Sequence, residues 1–392
     1  MTELNSCSVL VLEPFGGGSH RTLYQGWARH SRHRMEILEL PAVHWKWRSR
    51  HASFTLADQA NRLSENGCEF DVIFCSDMLN LPEWRGFACS RLAALPAVVY
   101  FHENQFTYPL SEGETRDYHF AYSNYLSVMA AQEAWFNSEY HREAFGTAAR
   151  AWLGRMPDYS HLEPFCQAME RSRVLPPGIE LPSDFPSRSE FGELLGDALQ
   201  SLGGSDDAPT IGWVSRWEHD KRPEDFSAAV IELARRGTAF KLILLGQRFA
   251  RVPEALARLQ SELPDRLLWC GYAEDRVHYW RLLSSMDVVV STAAHEFFGI
   301  GIVEAVAAGA FPLLPRALAY PETMRLNDVP DREQFFYSGQ FTADVLERAL
   351  HDSRRGSKSS RSELSREMRR FDWRTLAASY DDAIEELLKP TD

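Results

Sequence analysis

Four strings in this 392-residue chain bring together side chains that can do chemistry. Glu13-Pro-Phe-Gly-Gly-Gly-Ser-His20 ends a strand pattern and opens a helix pattern. Three glycines let the backbone approach a ligand closely, and a helix start presents unpaired N–H groups to an anion. The string is neither GxGxxG nor a P-loop, so no dinucleotide or ATP fingerprint applies. A tight turn with positive φ needs fewer than three glycines, which favours an anion site at Gly17 and Gly18. Trp213-Val-Ser-Arg-Trp-Glu-His-Asp-Lys-Arg222 follows another strand pattern. Arg216 can clamp a phosphate through two N–H groups and Lys221 can add a point charge. The same run also reads as a solvated loop, and composition alone does not choose. In Ala294-His-Glu-Phe-Phe-Gly-Ile-Gly-Ile-Val-Glu304, carboxylates suited to sugar hydroxyls flank a helix start. The N–H groups of Phe298, Gly299 and Ile300 face an anion there. The apolar residues around Glu304 predict a buried carboxylate that must have a partner. Last, Tyr100-Phe-His-Glu-Asn-Gln-Phe-Thr-Tyr-Pro109 sets His102 beside Glu103, Asn104 and Gln105, a polar cluster at a strand end whose chemistry spacing does not reveal.

The elements that must position these strings alternate. Residues 8–12, 35–40, 71–75 and 96–101 read as buried strands, and 21–31, 56–65 and 118–132 as helices. A second block repeats the pattern, with strands at 210–214, 240–245, 266–269, 287–291 and 310–314. Its helices fall at 224–236, 254–262, 275–284 and 299–308. Such alternation predicts βαβ units around parallel sheets, with ligands at the carboxyl ends of the strands. Pro182, Pro186 and Gly203-Gly-Ser-Asp-Asp-Ala-Pro209 mark a linker with room for one short helix at 190–202. Asp206-Asp207 within it reads as a solvated loop rather than a metal site. The expected domains are 1–180, a linker 181–208, 209–372, and a closing helix 373–392 that could belong to either domain.

Composition narrows the function classes. A formal charge of −13 argues against a protein that grips nucleic acid with its whole surface, while leaving room for a local basic patch. Hydrophobic residues at 44% and charged residues at 25% are those of a globular chain, which excludes disordered and fibrous classes. The six cysteines show no CxxC spacing, no run approaches a membrane span, and the first residues lack the pattern of a signal peptide. A reducing, cytoplasmic setting is expected, and no signal of oligomeric state is visible.

Glu296 and Glu304, spaced Glu-x7-Glu, with Arg216 and Lys221 before them, make the second block resemble a glycosyltransferase family 4 donor domain, in which basic residues stand at these positions. Fuller strings are sharper: Trp45-Lys-Trp-Arg48, Phe101 to Pro109, Arg116-Asp117, Phe136-Asn-Ser138, Arg216 to Lys221, His295-Glu-Phe-Phe-Gly299 and Tyr320-Pro-Glu322. Together they resemble the tRNA-queuosine α-mannosyltransferase family. The resemblance implies an α/β protein of the GT-B fold, two Rossmann-like doubly wound domains facing across a cleft. It also implies a retaining transferase moving mannose from GDP-mannose to queuosine in tRNA-Asp, with no metal or other cofactor. In that picture Arg216 and Lys221 hold the diphosphate with Gly17 and Gly18. Glu304 accepts from the ribose, Glu296 holds the donor sugar, and His102 bonds the sugar or its phosphate. Guanine falls near 246–248 and 271–272.

For the acceptor, His44-Trp-Lys-Trp-Arg-Ser-Arg-His51 interleaves aromatics with cations, a surface able to stack a splayed base and pair phosphates. Trp45, Lys46, Trp47 and Arg48, together with Glu103, Asn104 and Gln105 of the polar cluster, are the acceptor candidates, with core packing of Trp47 the equal alternative. The Arg/Ser-rich stretch 354–370 reads first as a solvated face. Other readings are a related transferase with another donor or a lipid, glycan or small-molecule acceptor, and a non-catalytic nucleotide-sugar or tRNA binder. The intact Glu296, Glu304, Arg216 and Lys221 speak against the last.

Overall fold

The computed structural model describes residues 6–110, 113–186, 208–246, 252–273, 275–355 and 358–389. The predicted helix at 190–202, Asp206-Asp207 and residues 247–248 of the expected guanine region lie outside them. The chain divides into two compact units, one running through Glu180 and resuming at Phe371, the other Leu181–Arg370.

In the first unit six parallel strands, β1 (Ser8–Gly16), β2 (Arg34–Pro41), β3 (Val72–Ser76), β4 (Ala97–Phe101), β5 (Glu133–Phe136) and β6 (Arg173–Val174), lie in the order β2-β1-β3-β4-β5-β6. β1 shows why they read as nearly continuous apolar runs. Val9 and Val11 enter one core while Leu10 and Leu12 enter the core on the opposite face, so both sides of the strand are dry. The main helices are α1 (Gly18–His30), α2 (Trp45–Glu65), α3 (Tyr118–Ala130) and α4 (Glu139–Leu153).

The second unit repeats the plan with β7 (Thr210–Val214), β8 (Lys241–Leu245), β9 (Leu267–Gly271), β10 (Val288–Val290), β11 (Phe311–Pro315) and β12 (Phe336–Tyr337), ordered β12-β11-β10-β7-β8-β9 and again parallel. Its helices include α5 (Pro223–Arg235), α6 (Arg276–Ser284) and α7 (Ile300–Ala307). The last helix, α8 (Trp373–Leu388), packs in the first unit. Trp373 is wholly buried there, and a Cβ at Gly26 or Gly178 would fall within 2.0 and 2.2 Å of its indole. Trp27 Nε1 donates to Asp381 at 2.7 Å, which fixes α8 against α1.

Candidate active site

At the carboxyl ends of β1, β3 and β4 the first unit collects three carboxylates and two histidines. Glu13 is 2% exposed. Its Oε1 accepts from Phe15 N at 2.8 Å and from Ser76 Oγ at 3.0 Å, and its Oε2 shares a hydrogen bond with His20 Nδ1 at 3.2 Å. The His20 ring stacks on His102, centroids 3.8 Å apart and planes inclined by 24°. His102 N donates to Asp77 Oδ1 at 2.9 Å, and Asn137 Nδ2 donates to His102 O at 2.9 Å. Burial opposes charge on His20, but Glu13, with Asp77 and Glu103 behind it, pushes its pKa up to about 9. Burial raises Asp77 to about 8, against the pull of His20. Burial, then the charge of His20 and of His141, holds His102 well below the ordinary imidazole value.

Gly17 is extended and begins the turn into α1, where a Cβ would stand 2.4 Å from that of Ala42. Gly18 takes φ +51° with open space around its Cα. The loop thus needs glycine at 17 for closeness and at 18 for conformation.

Asn104 does not join the cluster as an acceptor contact. It is fully buried, its Oδ1 takes the N–H groups of Phe106 and Thr107 at 3.1 and 3.0 Å, and its Nδ2 donates to Thr107 Oγ1. A short polar side chain bonded to the backbone two and three residues on builds a turn. Glu103 and Gln105 are half-buried beside it, and Gln105 N donates to Asn124 Oδ1 at 2.9 Å. Arg116 donates to the carbonyls of Gln105 and Tyr108, which pins the loop.

The second unit centres on Lys221, 6% exposed. Its Nζ donates to His295 O at 2.8 Å and pairs with Glu296 Oε2 at 3.2 Å and Asp220 Oδ2 at 3.0 Å. Loop-to-loop bonds hold it there: Ala294 N donates to Asp220 O at 2.8 Å, and Thr292 Oγ1 to Lys221 O at 2.7 Å. Burial pulls the lysine down, yet Glu296 and Asp220 more than offset it and raise its pKa; Lys221 in turn outweighs burial and lowers that of Glu296. Arg216 is half-exposed, 3.3 Å from Glu218, and its charge reaches Lys221 and Glu296.

Gly299 takes φ +87° to start α7, and a Cβ there would meet the Tyr320 ring at 2.8 Å. Tyr320 shares a 2.7 Å hydrogen bond with Ser291 Oγ, and Thr323 Oγ1 donates to Phe298 O at 3.3 Å. This fixes the Phe298–Ile300 turn, whereas Glu322 is exposed. Glu304 is buried with both oxygens engaged: Arg276 donates to Oε1 at 3.1 Å and Tyr279 Oη to Oε2 at 2.5 Å.

Residues 8–179 match the family described as tRNA-queuosine alpha-mannosyltransferase N-terminal, and 198–361 match glycosyl transferases group 1. Over 321 residues the chain is 34% identical to the tRNA-queuosine alpha-mannosyltransferase of Drosophila melanogaster, covering 80% of this chain and 81% of that protein. The chain belongs to the tRNA-queuosine alpha-mannosyltransferase family. A more distant relative is a 2-deoxystreptamine glucosyltransferase of Streptomyces kanamyceticus, 29% identical over 32% of each chain. Among solved structures, sucrose-phosphate synthase from Thermosynechococcus elongatus superposes with TM-score 0.69 at 16% identity over 97% of this chain and 99% of that one. Trehalose-6-phosphate synthase OtsA gives 0.65 at 13% over 98% and 100%. The fold is GT-B.

In this member of the family the predicted acceptor strip forms the opening turns of α2. Trp47 is 61% exposed, which excludes core packing, while Trp45 leans on Phe120 with ring centroids 5.1 Å apart. Lys46 lies over the Trp45 ring at 5.5 Å. Arg48 is partly engaged, donating to Pro41 O at the end of β2 at 3.1 Å and meeting His51 Nε2 on its own helix at 2.8 Å. In the described part of 354–370, Glu367 gathers Arg370 together with Arg325 and Arg332 from outside the stretch, so Arg370 serves the second unit's packing.

Glu13, His20, Asp77, Arg276 and Tyr279 are site neighbours that the sequence reading did not single out. Glu13 had a signal, a carboxylate ending an apolar strand. Arg276 and Tyr279 had a fainter one, their i,i+3 spacing on a helix. One group of three possible metal ligands occurs among the described residues: Glu13, His20 and His102, with ligand atoms within 4.8 Å of one another. Its geometry suits a shared proton better than an ion. The 3.2 Å hydrogen bond between His20 Nδ1 and Glu13 Oε2 already engages one ligand atom of each, so a proton rather than an ion joins them.

Proposed function

We propose that the chain is a retaining glycosyltransferase that moves mannose from GDP-mannose to the queuosine nucleoside of tRNA-Asp. The observation that carries this reading is the buried Lys221, joined to Glu296 and backed by Arg216, in a chain of this family. Departure of the nucleotide develops charge on the β-phosphate, so fixed cations and the N–H groups opening α7 act most strongly in the transition state. A permanent cation there supplies what a metal would otherwise supply, and we expect no cofactor. Glu296 takes the donor sugar and Glu304 the ribose hydroxyls, each carboxylate oxygen having lone pairs left over. Gly17, Gly18 and His102 are assigned to the donor from the family resemblance. The acceptor hydroxyl attacks the face the leaving group vacates and gives its proton to the departing phosphate, which retains the anomeric configuration.

Trp47 offers an exposed ring, tilted against His51, for a splayed base, with Lys46 and Arg48 beside it for phosphates. No described helix is long and apolar enough to cross a membrane, and no disulfide joins any of the six cysteines, in keeping with our assignment to the cytoplasm. Incubation with GDP-[¹⁴C]mannose and queuosine-containing tRNA-Asp tests the reading. Label is expected in the RNA fraction. Label in a lipid or glycan pool instead points to a related transferase, and tRNA binding without label to a non-catalytic binder.

A further inference from the structure

The least explained feature of the first unit is His20, a buried ring paired with a buried carboxylate. Such pairs rarely add stability, because desolvating both charges offsets their attraction, so their placement calls for another reason. Its neighbour supplies one. His20 lies face to face on His102, and its Nδ1 is tied to Glu13, itself held by Phe15 N and Ser76 Oγ. His102 is gripped through its backbone on both sides, by Asp77 and by Asn137, while its ring is bounded by His20 on one face and by Tyr100 edge-on at 4.9 Å.

We propose that His20 is a positioning residue for His102: stacking fixes the plane of the His102 ring, and a proton held on His20 by Glu13 keeps His102 a neutral hydrogen-bonding group. The proposal rests on the function assigned above, in which His102 serves the donor. The groups facing the pair are Glu13 from β1, Asp77 after β3, Glu103 beside His102 after β4, and His141 from α4. The three carboxylates favour charge on His20, the ring bonded to one of them. His102 meets carboxylates only through its backbone N–H and feels His20 and His141 directly. One imidazole therefore keeps the proton and the other is denied it.

The test uses the full chain with ¹³C-labelled histidine rings, the two resonances being assigned with His20→Phe and His102→Asn. In the wild type His20 is expected to titrate near pH 9, and His102 to stay neutral at the ordinary imidazole midpoint. His20→Phe keeps a ring to stack but removes the charge, so the His102 midpoint moves up and the acid limb of kcat/KM follows it. His20→Ala removes both, and kcat falls at every pH by about tenfold to a hundredfold, the cost of a misplaced group. Glu13→Gln lowers the His20 midpoint and reproduces the acid-limb shift, which serves if His20→Phe does not fold. A His102 midpoint unchanged in His20→Phe or Glu13→Gln, or a His20→Ala profile superposing on wild type, overturns the proposal. The titration needs no turnover, so failure of the transfer assay and failure of this inference are separate outcomes.

Discussion

The two units place buried charge at the same position, the carboxyl ends of a parallel sheet, and balance it in different ways. The second unit sets Lys221 between Asp220 and Glu296, and the raised lysine and lowered glutamate both favour the charged pair. The first surrounds two histidines with Glu13, Asp77 and Glu103, and the balance rests on protons at His20 and Asp77. One arrangement keeps its charges across the ordinary pH range. The other changes them within it. The contrast suits a division of labour in which the second unit supplies permanent charge to the donor phosphates while the first holds finely oriented neutral groups.

Removing the permanent cation should do the most damage. Lys221→Ala leaves two carboxylates facing each other, and losing one partner of a buried pair costs about 2–5 kcal/mol, or about thirtyfold or more in turnover. Turnover within threefold of wild type would remove Lys221 from the account. Next, Trp47→Ala should weaken tRNA binding by about 1–3 kcal/mol, the worth of one base–aromatic stack, with the KM for GDP-mannose unchanged. A filter-binding series in salt checks this, and an effect on the donor instead would move Trp47 away from the acceptor.

A smaller loss is expected at Glu304, the carboxylate proposed to take the ribose. Tyr279→Phe removes the buried hydroxyl bonded to Glu304, costing about 1 kcal/mol, or about fivefold in GDP affinity by calorimetry. The discrimination between GDP and its 2′,3′-dideoxy analogue should shrink with it. Equal discrimination in the variant would show that Tyr279 does not orient Glu304.

The mildest effect separates the units by pH. Asp77, raised to about 8, retains its proton in the fold, so its contribution to stability is complete below its unfolded value and lost as pH rises through about 8. His20, raised to about 9, contributes fully below pH 6.5 and loses its contribution as pH rises through about 9. Thermal midpoints should therefore decline with rising pH, and Asp77→Asn should flatten the part below pH 8. An unaltered slope would show that Asp77 carries no retained proton.

How far the sequence disclosed this architecture depended on the range of the contacts involved. Strands such as β3 and β7, dry on both faces, stand out as short apolar runs, and their ends locate the loops that carry chemistry. Helix α2 begins eleven residues before the predicted start at 56. Its buried stripe is built from small residues, Ala52, Ser53, Ala57 and Ala60 around Leu56, and its first turn is aromatic and cationic rather than amphipathic. Strand β5 and helix α4 give no separate signal in the sequence: four residues carry little periodicity, and α4 is rich in alanine. Lys221 and Glu296 were visible because each sits in a dense local motif. The His20–His102 stack joins two such motifs through the sheet, and no local spacing announces it. Asn104 departs from its place among the acceptor candidates for the opposite reason. Its role is purely local, a turn set by its own backbone, and its position within a polar string hid that.

Side-by-side rates with GDP-mannose on two preparations of tRNA-Asp, one bearing queuosine and one bearing unmodified guanosine at the same position, test the central claim most directly. After nuclease digestion, mass spectrometry of the nucleosides should show queuosine carrying one hexosyl group, formed by the wild type and nearly absent with Lys221→Ala. The guanosine-bearing tRNA should gain none. Equal hexosylation of both preparations, or none of the queuosine-bearing one alongside transfer to another acceptor, would contradict the account.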